Sequence, residues 1–479
     1  MARIEQHPIL DFKKGREVTF TYEGQALKGY EGETIAAALH AAGVRSLHES
    51  EKKHRHRGLF CAIGNCSSCL MKVNGIPNVR VCVEPLREGI TVERQVGNVK
   101  PEVDVHIEAK LSNERALVKT ELLIIGGGPA GMCAAIEAAE AGVEVLMLER
   151  NSDLGGQLIK QTHKFFGSEK QNAGTRGVQI SIDLAAKIKS MPQITLWTDS
   201  IAAGFYKNGV VMVDKNGVVE GVKAERIIVA TGAFEKNLVF PNNDLPGVYG
   251  AGAVQTLMNM EGIIPAKNVL MVGGGNIGLI VSYQLMQAGV NVAAVIEAAP
   301  KIGGYQVHAN KLRRAQVPVM TQHTIKYAYG TEKVEGAVIC QVDDHFQPIP
   351  GTEQDVKCDA ICMAVGLQPL PELFFQAGCD MKFVPELGGY VPVIDDVRHT
   401  SVPNVYAAGD SGGVEEASSA MLTGKLAGLS AANDFGRVPD FEEKFADYLE
   451  QLDSLRPEGG KIKNGIVKTK EGSPVNYEH

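Results

Sequence analysis

The chain has 479 residues, enough for roughly three domains at about 150 residues each. Apolar residues at 44% and charged residues at 22% exclude a disordered or fibrous chain. A formal net charge of −8 argues against a generic nucleic-acid binder, which would need clustered Lys and Arg.

Glycine is the outlier, at 53 of 479 residues, and implies several turns where backbone must approach something closely. Nine cysteines are too few for a disulfide scaffold of this length, and four of them fall within 61–82. The opening MARIEQHPIL has no apolar h-region, and no run approaches the ~20 apolar residues of a membrane span. A soluble, cytoplasmic protein of a reducing compartment is expected, with no membrane span and no nucleic-acid partner.

Residues 16–30 alternate apolar and polar around Glu23-Gly24 and read as a β-hairpin. A helix over IAAALHAAG follows, with Thr34 as N-cap and Gly43 as its stop. The basic run KKHRHR (52–57) reads as a solvated loop suited to docking an acidic partner. LMKVNG, with Asn74-Gly75, predicts a second hairpin, and ITVERQ (90–95) closes a small α+β unit.

Within that unit stands Cys61-x4-Cys66-x2-Cys69, with Cys82 after it. This is the spacing of a plant-type [2Fe–2S] site, where four thiolates hold two irons. Ala62, Gly64, Asn65, Ser67 and Ser68 are small or permissive enough to wrap a loop and aim amides at the sulfurs. The fourth cysteine is placed on a strand, VRVCVEP. Zinc is a weaker alternative, because zinc ribbons favour paired C-x2-C knuckles and only one is present. Residues 97–118, polar and Pro-containing, read as a linker.

Two glycine-rich βαβ starts come next, at 121–150 and 268–298, repeating with an offset of 147 when Gly126 is set on Gly273. In the first, Gly126-x-Gly128-x-x-Gly131, with Pro129 and Ala130 inside it, follows an apolar strand and opens a helix. Its glycines serve a tight turn, close pyrophosphate approach and helix–strand packing. The helix N-terminus favours phosphate, and Glu149, 23 residues on, can accept from a ribose hydroxyl. Arg150, Gly156 and Gln157 extend this candidate site.

RIIVATGAF (226–234) is a strand running into Thr231-Gly232 near the nucleotide. In the second loop, Gly273-x-Gly275-x-x-Gly278, the acid Glu297 lies 24 residues on. A one-residue slip turns a strand side chain to the other face unless a bulge intervenes. If Glu297 does reach a ribose, its carboxylate favours NAD over NADP; an idle Rossmann-like fold is the alternative. Cys358 and Cys362, in a predicted strand, and Cys133, on the first loop's helix, read as core, leaving no dithiol for electron transfer. VYAAGD (405–410) is a strand ending in Gly409-Asp410, and its small-residue helix (Ala417, Ala420, Gly424, Ala427, Gly428) is expected to let backbone approach a ligand. The bland alternative for Asp410 is a helix N-cap. FEEKFADYLEQL (441–452) predicts a charged helix before a polar tail.

The order CAIGNCSSC, GGGPAG, DLGGQ, ATGAFEK, FPNNDLPGVYGAGAVQTL, GGGNIG and VYAAGD resembles the alpha subunits of bacterial and archaeal amine dehydrogenases. These include heteromeric sarcosine oxidase, opine oxidase, hydrogen cyanide synthase and proline or hydroxyproline dehydrogenase. The resemblance covers about residues 16 to 435 and departs in having no cysteine after Cys379. It implies an α/β, glutathione-reductase-like flavoprotein with two Rossmann-like dinucleotide domains and an N-terminal α+β [2Fe–2S] ferredoxin-like domain.

The domains expected are 1–97 (ferredoxin-like), 98–118 (linker), 119–250 and 353–435 (FAD-binding, two parts), 251–352 (NAD(P)-binding-like) and 436–479 (C-terminal helix and polar tail). Cys61, Cys66, Cys69 and Cys82 carry over as cluster ligands, and Gly126, Gly128, Gly131, Glu149, Thr231, Gly232 and Asp410 as the FAD site. NAD(H) at the second loop and FMN at a partner interface are further candidates. So is a hetero-oligomer with a beta-type, D-amino-acid-oxidase-like flavoprotein and a small ferredoxin-like subunit.

Three roles stay open: an electron-transfer subunit of an amine or amino-acid dehydrogenase, a self-sufficient NAD(P)H-dependent oxidoreductase, and a non-catalytic nucleotide-binding scaffold.

Overall fold

In a computed structural model, residues 3–100, 116–164 and 166–471 are described, and most of the expected linker lies outside them. They divide into two compact units, one holding residues up to 100 with Glu235–Gly366, the other 116–234 with 367–471.

The first unit opens with the expected hairpin, Glu17–Tyr22 against Gln25–Tyr30, turning at Glu23 and Gly24, both at positive φ. Helix Ile35–Ala41 follows, its N-cap Thr34 accepting from Ala37 N at 3.2 Å. Strand Thr91–Val96 runs parallel to Glu17–Tyr22 and antiparallel to Leu70–Val73. Asn74-Gly75 turns Leu70–Val73 into Ile76–Arg80. Arg55 and Arg57 both pair with Asp244, and Arg55 also donates to Asn242, so folding brings an internal carboxylate to them.

The rest of the unit is a parallel five-stranded sheet in the order Val248–Gly250, Ala360–Met363, Asn268–Val272, Asn291–Glu297, Val319–Thr321, with a three-stranded antiparallel sheet following it. Its core is continuous with that of the cysteine-bearing segment: Ile35, Leu39, Val81 and Val92 belong to one cluster with Tyr249, Leu257, Leu279 and Leu285. His40 is fully buried within this core and hydrogen-bonds Tyr249 Oη at 3.2 Å. Removal from water holds its imidazole down to about 3. Neither segment closes an apolar face alone, so burial of both is coupled.

The second unit is built on a sheet in the order Ile194–Trp197, Val145–Leu148, Val118–Ile125, Val218–Val229, with Val405–Ala407 beside Val218–Val229. Helices Pro129–Glu140 and Ala417–Asn433 pack in close contact. A Cβ on Gly424 would lie 2.1 Å from Ala130 O, and one on Gly428 2.4 Å from Ala134 O. These two glycines therefore serve helix–helix approach, not the ligand contact expected of them; α-helices this close tolerate no side chain between their backbones. Helix Phe441–Leu455 covers the charged segment. Part of the expected polar tail forms a further helix, Lys461–Lys470, whose Ile462 and Ile466 pack on Val384, Leu387 and Val391. Among the described residues, no helix is long and apolar enough to cross a membrane.

Candidate cofactor sites

The cysteine loop bends through left-handed backbone at Ala62, Gly64 and Ser67, which folds it around its own sulfurs. Cys61, Cys69 and Cys82 are buried, and Cys66 is exposed. The thiols contact one another in pairs, Cys61 with Cys66 and Cys82, and Cys69 with Cys82. Hydrogen bonds from the Cys66 and Cys82 thiols hold Cys61 far below the ordinary thiol range, helped by the amides of Ile63 and Cys66, while Cys66 and Cys82 are pushed up as the donors. Cys66 N lies 3.4 Å from Cys61 Sγ.

Among the described residues, no three His, Cys, Asp or Glu side chains converge as ligands of one ion would. Linked pairs with amides aimed at sulfur suit two metal ions with two thiolates each, so the donor set fits a [2Fe–2S] group. Cys82 does not stand on a strand: Ile76–Arg80 ends before it, and Cys82 sits in the turn beyond. Val81 O and Glu84 O in that turn accept from the first-turn amides Ala36 N and Ile35 N at 2.9 Å each. Capping the helix in this way takes the carbonyls a strand neighbour would have used.

At the first glycine loop, Gly126 has φ +117° and a Cβ there would lie 2.3 Å from Ala230 O. A Cβ on Gly131 would lie 1.9 Å from Gly126 O. Gly128 caps helix Pro129–Glu140, and among the described residues no side-chain oxygen lies over it and only Gly156 Cα, 3.9 Å away, meets its would-be Cβ. The helix N-terminus, from Pro129 and buried Ala130 onward, thus opens onto a cradle suited to phosphate. Glu149 Oε2 accepts from Gly127 N at 2.8 Å, and Oε1 from Asn151 N at 2.8 Å. Burial pushes its carboxyl up, while the Asn151 and Gly127 amides pull it back. Arg150 and Gln157 are exposed.

Thr231 and Gly232 follow strand Val218–Val229, but the Thr231 hydroxyl donates to Leu370 O at 3.2 Å. Asp410 is not a helix cap, since Glu416 caps Ala417–Asn433. It stands in the 3₁₀ turn Gly409–Gly412 and accepts from Glu415 N at 3.2 Å. Desolvation pushes its carboxyl up to about 7.

The second loop repeats the first. Gly273 has φ +115°, its would-be Cβ lies 2.3 Å from Ala364 O, and that of Gly278 lies 2.0 Å from Gly273 O. Gly275 caps helix Asn276–Gln287, and among the described residues nothing lies within 4 Å of its would-be Cβ. Glu297 does reach the loop: Oε2 accepts from Gly274 N at 2.7 Å and Oε1 from Ala299 N at 2.9 Å. The extra residue is absorbed by a bulge, since Val269 pairs with Val292 and Leu270 with Ala294, skipping Ala293. Sequence reasoning missed Ala364-Val365-Gly366, the counterpart of Ala230-Thr231-Gly232, with Gly366 at φ +109° and Gly232 at φ +76°. The signal was there as A-x-G after an apolar strand.

Residues 120–424 match the pyridine nucleotide-disulphide oxidoreductase family, and residues 15–97 match a 2Fe-2S iron-sulfur cluster binding domain. The chain is 25% identical to the alpha subunit of sarcosine oxidase from Corynebacterium sp. over 462 residues, 90% of this chain and 45% of that one. It is 28% identical to an opine oxidase subunit from Agrobacterium tumefaciens, over 66% of each. It thus spans less than half the length of the sarcosine oxidase relative and about two thirds of the opine oxidase relative. A crystal structure of L-proline dehydrogenase from P. horikoshii superposes with a TM-score of 0.69 at 24% identity, covering 95% of this chain and 80% of that one.

Proposed function

The chain belongs to the pyridine nucleotide-disulphide oxidoreductase family, and from that premise we propose that it is the electron-transfer subunit of a multi-subunit dehydrogenase acting on an amine or amino acid. It is an oxidoreductase with a flavin domain and a 2Fe-2S domain. One observation carries the reading: four linked thiols and a glycine cradle with its ribose acid stand in a chain whose relatives are named as subunits of sarcosine and opine oxidases.

When bound, FAD handles electrons singly or in pairs and a [2Fe–2S] cluster handles one at a time, which suits relay between unlike donors and acceptors. Cys61, Cys66, Cys69 and Cys82 would hold the cluster. Gly126, Gly128 and Gly131 would admit the pyrophosphate, Glu149 would accept from the ribose, and Asp410 would accept from a further hydroxyl of the dinucleotide. Amine oxidation is assigned to a partner flavoprotein, which makes the functional assembly a hetero-oligomer.

A second reading is favoured by Glu297. Its bulge-corrected position equips the second loop for a nicotinamide dinucleotide without a 2′-phosphate, so NAD(H) serves as acceptor or donor. Affinity purification from native extract, with absorbance spectra and metal and sulfide analysis, tests both. The first predicts a copurifying flavoprotein and reduction by an amine only in its presence. NADH bleaching the flavin of the isolated chain at turnover-competent rates supports the second. Anaerobically prepared chain with neither sulfide nor a yellow chromophore ends both.

A further inference from the structure

We propose that Arg456 and Glu415 form a clasp that positions Asp410, and through it the dinucleotide over the first glycine loop; this rests on the reading of that loop as the FAD site. Arg456 lies beyond the residues matched to the family, at the C-terminal end of helix Phe441–Leu455. That helix lies on Ala417–Asn433 through Phe445, Tyr448, Leu452 and Leu455, which pack with Leu422 and Leu426. Packing in this register returns the Arg456 guanidinium to the turn preceding Ala417–Asn433.

There it meets Glu415. Arg456 Nε donates to Glu415 Oε2 at 2.8 Å and Nη2 donates to Oε1 at 2.5 Å. Both side chains are only 11% exposed, so this is a forked, desolvated pair and not a surface contact. Glu415 in turn donates its backbone N–H to Asp410. Fixing the Glu415 side chain therefore fixes the amide that aims the Asp410 carboxylate.

The rest of the turn is held to match. Thr423 Oγ1 accepts from Gly409 N at 3.0 Å, and the Ser411 hydroxyl donates to Val229 O at 3.0 Å. Arg398, 8% exposed and at φ +72°, donates from Nε to Ala407 O at 3.0 Å, and its Nη2 lies 3.0 Å from where a Cβ on Gly412 would stand. The clasp has an electrostatic side as well. Glu415 is a negative neighbour that pushes the Asp410 carboxyl upward, and the Arg456 cation offsets that charge.

The test uses the full chain, stripped of flavin and titrated with FAD, together with hydrogen exchange of the flavin-free protein. Arg456→Met should weaken FAD binding about tenfold or more and speed exchange of the 409–415 amides, while those of Pro129–Glu140 stay protected. Arg456→Lys, which keeps the charge but loses the fork, should fall between Arg456→Met and the wild type. Arg456→Met combined with Glu415→Gln should weaken binding no more than Arg456→Met alone. A lowered melting temperature with unchanged FAD affinity and unchanged 409–415 exchange overturns the clasp. If wild-type chain takes up no FAD, the reading of the site fails, and the exchange result alone decides whether Arg456 orders the turn.

Discussion

The two glycine loops are nearly superimposable in their geometry and unequal in what surrounds them. Both place a glycine at φ near +116° under an alanine carbonyl, both pack the third glycine of the motif on the carbonyl of the first, and both tie a glutamate to the amide of the residue after the first, Gly127 or Gly274. The first has Val405–Ala407 beside its third strand, followed by Asp410; the second has Val248–Gly250 in that place, followed by Gly252, whose amide is taken by Glu235 at 2.6 Å. Glu149 is 5% exposed, while Glu297 is partly exposed. A shared loop thus sets what kind of ligand can sit there, and the flanking strands decide how much of it is enclosed.

The strongest way to break the equivalence is to fill the third glycine of each. A Cβ at Gly131 or Gly278 would press on a backbone carbonyl at 1.9 or 2.0 Å, which should cost about 3 kcal/mol or more in either case. The consequences should differ. Gly131→Ala is expected to lose FAD and keep the cluster absorbance. Gly278→Ala is expected to lose the cluster as well, because helix Asn276–Gln287 supplies Leu279, Val281 and Leu285 to the core shared with the cysteine-bearing segment. Visible spectra and iron content of the two variants check this.

A second effect separates Asp410, whose counterpart in register at the second loop is Ala253 and carries no acid. Its carboxyl is raised from 3.8 to about 7 in the folded chain, so the folded state binds the proton more tightly than the unfolded one. Stability of the flavin-free protein must then fall as pH rises from about 4 to 7. Asp410→Asn should remove that penalty, stabilising the flavin-free protein by about 4 kcal/mol at pH 8 and not at pH 4, while weakening FAD binding. Denaturation of both proteins at the two pH values is the check; equal stability at pH 8 would refute it.

What was readable in advance follows the range of the forces involved. The cysteine spacing, both glycine loops and the capped helix at Thr34 depend on residues close in sequence, and they were legible. Glu297 was undecidable, because one extra residue is a slip or a bulge according to how Asn291–Glu297 pairs with a strand more than twenty residues earlier. Gly424 and Gly428 were misassigned because a small-residue stripe looks the same whether a ligand or another helix comes close. The turn at Cys82, the Asp244 pairing of Arg55 and Arg57, and the grip of Arg456 on Glu415 all rest on partners distant in sequence.

Glu297 offers a milder separation of the loops. Glu297→Ala should raise the KM for NADH about tenfold and narrow its preference over NADPH, with little change in bound FAD. Steady-state diaphorase rates with each nucleotide read this directly, and an unchanged ratio would leave the second loop without a ribose contact at Glu297.

The smallest expected effect is the sharpest statement about the bulge. Deleting Ala293 shortens the count from Gly273 to the acid from 24 residues to 23, the number separating Gly126 from Glu149. In the first loop that number goes with an unbroken register, Leu122 with Val145 through Ile125 with Leu148. Excising the bulged residue should let Val292 and Ala294 pair in sequence with Val269 and Leu270, and leave the acid beside Gly274. A deletion inside a buried parallel strand would ordinarily unfold it by turning each later side chain to the opposite face. Here the expectation is a change in NADH affinity of less than about threefold and a stability change within about 1 kcal/mol. Deletion of Val295 instead removes a fully buried side chain and should unfold the sheet. Loss of NADH binding on removing Ala293, with the fold intact, would mean that the bulge itself shapes the ribose contact and that the two loops hold their acids by different means.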